Sequence, residues 1–209
     1  RRQRQMCIRD RAADRGKFEA VLSEIKSRYQ EIIDGLELTL SLEEDFRIIE
    51  ENFQKQIGEE YAASRGEYLN GKVMAAYLGY EFVDPAEMIR FDGNGQFDAE
   101  ITELLVQKRL NGVDTAVVPG FYGAKENGEI KTFSRGGSDV TGSILAGALD
   151  VELYENWTDV SGVMVTDPRI IQNPKVIDTI TYRELRELSY MGATVLHEDA
   201  IFPVRKAGI

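Results

Sequence analysis

The stretch FSRGGSD at 133–139 sets an arginine, two glycines, a serine and an aspartate side by side, between an apolar run and an Ala/Gly-rich helical pattern. Glycine reaches positive φ without steric cost, so a Gly-Gly pair by itself marks a turn. Ahead of a helix start, the N–H groups of Gly136, Gly137 and Ser138 can face an anion, and Arg135 offers a planar fork for a carboxylate. Ser138 also has a plainer reading as a helix N-cap. Asp139 either orients a cation or an ammonium group, or simply complements the positive end of the helix dipole. Further on, WTDVSGVMVTDPR at 157–169 brings Thr158, Asp159 and Arg169 to a loop that either embraces a nucleotide or forms an Asp-Pro-Arg turn with a surface arginine.

Such residues must be held by regular elements, and the apolar spacing predicts several. Phe18, Val21, Leu22, Ile25, Tyr29 and Ile32 recur every three or four residues, a helical stripe. Ser41 and Glu44 have capping-box spacing for a second helix, along which Phe46, Ile49, Phe53 and Ile57 continue the stripe. A third helix is expected over 66–78, then a strand over 80–83 that stops at Asp84-Pro85. DGNG at 92–95 is a turn, and Asp98 is placed to cap a helix carrying Ile101, Leu104 and Leu105. From Asp114 the period changes: TAVVPG, IKTFS and VELYENW read as strands, with FYG in the loop after the first, and a helix is expected over 138–149. Thr181 and Glu184 make a second capping box, for a helix through Leu185 and Leu188 that stops at Gly192; no finishing strand is expected beyond it. This alternation predicts an α/β fold with a largely parallel sheet covered by helices, in which ligands collect beyond the carboxyl ends of the strands.

Composition narrows the classes. The 209 residues, 43% hydrophobic and 29% charged, are those of an ordinary globular chain of one domain or slightly more. A net charge of −11 opposes any nonspecific hold on nucleic acid or an anionic membrane. The one cysteine, Cys7, has no intramolecular disulfide partner, and the one histidine, His197, stands in no zinc pattern, so no metal site is expected and a cytoplasmic setting is. No apolar stretch approaches the roughly 18 residues of a membrane span, and no signal-peptide core opens the sequence. The first eleven residues, RRQRQMCIRDR, are basic and unlike the rest of the chain; they read as a non-native scar, leaving 17–209 for the fold.

Four blocks in order carry a resemblance: SRGEYLNGKVMAAYLG, PGFYGAKENGEIKTFSRGGSDVTGSILAGAL, WTDVSGVMVTDPR and ELSYMGATVLHEDAIFP. Over about 17–209 they resemble the aspartokinase branch of the amino acid kinase family. The resemblance implies a three-layer αβα fold and transfer of the γ-phosphate of ATP, with Mg2+, to the β-carboxylate of L-aspartate. The product, 4-phospho-L-aspartate, enters lysine, threonine and methionine synthesis. The resemblance assigns Glu67 to the substrate's α-ammonium group and Arg135 to its α-carboxylate. Gly136, Gly137 and Ser138 would approach substrate and phosphate, Asp139 would organise the catalytic centre, and Thr158, Asp159, Arg169 and Thr194 would contact ATP. Glu67 also reads, without its neighbours, as an exposed helix-face glutamate.

Two substitutions depart from the family pattern. Thr194 stands where many aspartokinases have lysine, a variation similar to Firmicute-like members, and Met164 stands where they commonly have tyrosine. The Lys-Phe-Gly-Gly strand and the C-terminal ACT domains of the family are not found in these residues. The expectation is therefore a partial catalytic domain, without its N-terminal strand and C-terminal end, inactive alone and drawn from a homo-oligomeric parent. The alternatives are another amino acid kinase acting on glutamate, acetylglutamate or uridylate, or a noncatalytic nucleotide or amino-acid binding protein of the same fold.

Overall fold

The stripe beginning at Phe18 folds as α1 (Phe18–Gly35), and with α2 (Glu43–Gln54) and α3 (Glu59–Leu78) it builds a helical core. Ile33, Phe46, Ile49, Phe53, Tyr61, Leu69 and Val73 are buried there, and Phe18, Leu22, Ile25, Tyr29 and Ile32 pack half-buried against them. These helices belong to the first of two units into which the chain divides, Arg1–Thr132; the second is Phe133–Ile209. The computed structural model describes residues 18–134, 136–157, 162–166, 170–190 and 198–209.

One carboxylate lies inside this helical core and is satisfied there. Asp45 of α2 is buried and accepts hydrogen bonds from Lys72 Nζ at 2.7 Å and the Tyr68 hydroxyl at 2.8 Å, both from α3. Pairing offsets the cost of removing the charge from water. Burial, and then the bond to Asp45, pushes the Tyr68 hydroxyl well above its ordinary pKa.

Short strands complete the first unit: β1 (Glu81–Phe82), β2 (Arg90–Phe91), β3 (Phe97–Asp98), β4 (Ala116–Val117), β5 (Tyr122–Lys125) and β6 (Ile130–Thr132), with α4 (Ala99–Leu110) between β3 and β4. β1 and β4 pair in parallel, and a four-stranded sheet runs β3-β2-β5-β6, parallel at β2–β5 and antiparallel at the other two pairings. The α/β class is the one expected. α4 starts where the sequence places it, because the Asp98 carboxylate accepts the Ile101 N–H at 3.0 Å. Its buried residues, however, are Thr102 and Val106, while Ile101 and Leu104 lie exposed. Asp98→Ala should cost about 1 kcal/mol of stability, the usual worth of an N-cap. Urea unfolding checks this, with a loss indistinguishable from zero arguing against the cap.

In the second unit, α5 (Gly137–Leu149), α6 (Tyr182–Tyr190) and α7 (Glu198–Ala207) are the helices among the described residues. α5 approaches α7 closely through small side chains: a Cβ at Gly147 would lie 3.2 Å from the Pro203 carbonyl oxygen, and the Val204 N–H donates to Ser143 Oγ at 3.3 Å. The capping box at Thr181 forms, with Glu184 Oε2 accepting the Thr181 N–H at 2.9 Å and Thr181 Oγ1 accepting the Glu184 N–H at 3.3 Å. The expected stop at Gly192 lies outside the described residues.

Five expectations are corrected. The third helix starts at Glu59 rather than 66, after Gly58 at φ 134°. Leu42, not Ser41, is the N-cap of α2, and Glu44 turns away to pair with Arg47. Ser138 is not an N-cap either, since Gly136 occupies that place without a side-chain cap. FYG is not all loop, for Tyr122 and Gly123 begin β5. VELYENW forms no regular strand; its Tyr154 and Asn156 turn instead onto the first turns of α5.

Candidate active site

α3 carries the first site residue, and its periodicity decides what surrounds it. Glu60, Ser64, Glu67 and Gly71 follow one another at four, three and four residues, so they share one face of the helix. At one end of that face, Glu60 accepts hydrogen bonds from Lys131 and Thr132 at the end of β6. At the other end, a Cβ added at Gly71 would lie 2.6 Å from Pro119 Cγ, so only glycine lets the helix approach the turn after β4 this closely. Glu67, half-buried, lies between these two attachments.

The arginine of the same SRGE motif is a core residue. Arg65 is buried with its guanidinium 4.6 Å from the ring centres of Tyr61 and Tyr68 and 5.4 Å from that of Tyr122, and it donates to Ser64 Oγ at 2.9 Å. These contacts staple α3 to β5 by cation–π attraction. The Tyr122 hydroxyl donates to Asp84 at 2.9 Å, and burial followed by the Asp84 charge raises its pKa strongly.

Phe121, immediately before β5, has φ 68°. A bulky residue in the left-handed region is strained, and such strain persists only where the surroundings impose it, most often at functional sites. The neighbours supply the restraint: Pro119 against Gly71 on one side, fully buried Tyr122 on the other. The sequence places 119–121 in a loop but carries no sign of this conformation, because a glycine at 120 offers an easier host for positive φ.

In the second unit, Gly136, Gly137, Ser138 and Asp139 come together at the start of α5. Gly136 adopts the left-handed conformation at φ 56°, Gly137 is buried and Ser138 is exposed. The first intrahelical bond runs from the Val140 N–H to the Gly136 carbonyl at 2.9 Å, so the preceding amides of Gly137, Ser138 and Asp139 have no acceptor within the helix. Amides of this kind, at the positive end of the helix dipole, fit phosphate or carboxylate oxygens. Asp139 is half-buried and oriented: its Oδ1 accepts from Asn156 Nδ2 at 3.2 Å, and its carbonyl accepts from the Tyr154 hydroxyl at 3.2 Å. Burial, then the Asp139 charge, raises the Tyr154 pKa. Asn156 was not expected as a partner of Asp139, since a contact across 17 residues leaves no local signal.

Arg135, Thr158, Asp159, Arg169 and Thr194 lie outside the described residues. Met164 forms an antiparallel bridge with Val176, flanked by backbone bonds from Val165 N–H to the Lys175 carbonyl at 3.0 Å and from Ile177 N–H to the Val163 carbonyl at 2.8 Å. Among the described residues, no three His, Cys, Asp or Glu side chains cluster to hold a metal ion, and no helix is long and apolar enough to cross a membrane.

Comparison with known proteins gives concordant matches. The amino acid kinase family matches residues 13–209. Aspartokinase 3 of Bacillus subtilis is 44% identical over 152 residues, covering 69% of this chain and 34% of that protein. Among solved structures, the aspartate kinase of Clostridium acetobutylicum superposes with a TM-score of 0.88 at 45% identity, over 99% of this chain and 46% of that one. E. coli aspartokinase III, in a complex with aspartate and ADP, superposes with a TM-score of 0.78 over 98% of this chain and 51% of that one. At 24% identity that likeness speaks for the fold. The chain thus spans about a third to a half of the length of these relatives.

Proposed function

Because the chain belongs to the amino acid kinase family, we propose that it holds L-aspartate while ATP phosphorylates its β-carboxylate, giving 4-phospho-L-aspartate. The observation that carries this reading is the position of Glu67 on α3, between the grip of Glu60 on β6 and the contact of Gly71 with Pro119. A half-buried carboxylate on a helix held at both of these points suits an ammonium group. Arg135 takes the α-carboxylate through its planar fork, which a lysine would not reproduce. With both α-groups held, the β-carboxylate is the free nucleophile.

Phosphoryl transfer asks little covalent work of a protein; it needs in-line positioning and neutralised charge. The amides of Gly137 and Ser138 and the dipole of α5 meet the negative oxygens of the phosphate, and Asp139, held by Asn156, organises the centre. ATP is the second substrate, contacted by Thr158, Asp159, Arg169 and Thr194. Mg2+ would accompany it and would supply positive charge to the phosphate oxygens. The whole protein acts in this reading as a cytoplasmic homo-oligomer at the head of lysine and threonine synthesis, with small molecules as its partners.

The test is ADP release by the complete gene product, with L-aspartate, L-glutamate, N-acetyl-L-glutamate and UMP offered separately. Turnover with aspartate alone is expected. Equal or greater turnover with glutamate, acetylglutamate or UMP would move the chain to another branch of the family, and none with any acceptor would favour a binding protein.

A further inference from the structure

Several ion pairs of the first unit link neighbours in sequence and stand largely in solvent, such as Arg28–Glu31 and Arg47–Glu44. Glu60 is different. A single oxygen, Oε1, accepts from Lys131 Nζ at 2.8 Å, the Thr132 N–H at 3.2 Å and Thr132 Oγ1 at 3.0 Å, across more than 70 residues of sequence. Side chain and main chain of the last residue of β6 are thus gathered on one carboxylate in the first turn of α3. Partial burial pushes the Glu60 carboxyl up, but the donors from Lys131 and Thr132 outweigh it and hold the group below its ordinary pKa.

The location gives this grip a consequence. Among the described residues β6 is the edge strand of its sheet, paired within it to β5 alone, so no second strand described there fixes its end. From Thr132 the chain passes directly into 133–136, the stretch that contains Arg135. Two turns along α3, on the same face as Glu60, stands Glu67.

We propose that Glu60 is a positioning residue: its carboxylate fixes the end of β6 against α3, and thereby sets the point from which the chain departs toward Arg135. The proposal rests on the reading of Glu67 and Arg135 as the two holders of aspartate. Glu60 touches neither substrate itself. Its effect is geometric, and small displacements of a positioning group cost rate out of proportion to their size.

Two measurements on the complete gene product test it, using Glu60→Ala, Glu60→Gln and Thr132→Val. In steady-state kinetics, Glu60→Ala should raise KM for aspartate about 10-fold with little change in KM for ATP. Glu60→Gln, which keeps an acceptor for Thr132 but loses the charge facing Lys131, should recover part of the loss, and Thr132→Val should shift KM in the same direction by less. In hydrogen exchange, Glu60→Ala should speed exchange of the Thr132 amide while Ala124, bonded to Ile89 within the sheet, keeps its protection. A Glu60→Ala protein with a lowered melting temperature but an unchanged ratio of the two KM values has lost only stability, and the positioning role is overturned. If the unaltered protein shows no aspartate-dependent turnover, the functional reading fails instead. Thr132 exchange then decides on Glu60 alone, and unchanged exchange refutes the anchor.

Discussion

Glu67→Gln should raise the aspartate requirement of the complete gene product by roughly 10- to 100-fold, the equivalent of losing a hydrogen bond to a charged group at about 1.5–3 kcal/mol. The neutral amide has nearly the same shape, so the helix face between Glu60 and Gly71 is kept while the charge offered to the α-ammonium group is lost. KM for ATP should therefore stay close to that of the unaltered protein. Asn70→Ala, one turn further along α3, serves as the control and should change aspartate binding much less. Equal losses for aspartate and ATP, or none for either, would assign Glu67 to structure.

The largest effect on stability is expected at Gly123. It lies in β5 between β2 and β6, and a Cβ there would meet the Ile89 carbonyl oxygen at 2.4 Å and Ile89 Cγ2 at 2.7 Å. The oxygen in question accepts the Ala124 N–H at 3.0 Å, so the added methyl would push on a hydrogen bond of the sheet. Ile89 is completely buried and has no open side to yield toward. Overpacking of this kind costs about 3 kcal/mol. For a chain of this length that is a fall in melting temperature of roughly 6–12 °C. Because strained Phe121 immediately precedes this strand, activity below the melting transition should fall as well. A melting temperature within 2 °C or so of the unaltered protein would mean that the sheet yields more readily than these distances allow.

Sequence legibility tracked the range over which each feature is determined. α1 and α2 were readable because apolar residues three and four apart must share a helix face. The early start of α3 was not, since Gly58 reads equally as a loop residue. The two-residue strands β2 and β3 are too short for alternation to register. β5, reading YGAK, has no β-branched residue; it is a strand because β2 and β6 lie on either side of it. VELYENW has the opposite history, with strand-like composition but side chains committed to α5 through Tyr154 and Asn156. The two capping boxes differ for a similar reason: Thr181 and Glu184 face each other, whereas Glu44 is drawn to Arg47.

The candidate site divides in the same way. Glu67 and the Gly136–Gly137 pair enter the candidate site through the blocks that carry the family resemblance. Tertiary contacts had no such signal: Asn156 on Asp139, Glu60 on Thr132 and the left-handed Phe121 each depend on residues far away in sequence. The nucleotide-contacting set, Thr158, Asp159, Arg169 and Thr194, rests on the resemblance.

The proposed reaction has Glu67 and Arg135 holding the two α-groups of aspartate and leaving its β-carboxylate free to attack ATP. It is tested most directly by trapping the acyl phosphate with hydroxylamine in the complete gene product, supplied with ATP, Mg2+ and L-aspartate, and identifying which carboxyl carries the hydroxamate. The β-hydroxamate of aspartate is expected, dependent on ATP and lost when Glu67 and Arg135 are replaced. An α-hydroxamate, or no ATP-dependent hydroxamate from aspartate at all, would contradict it.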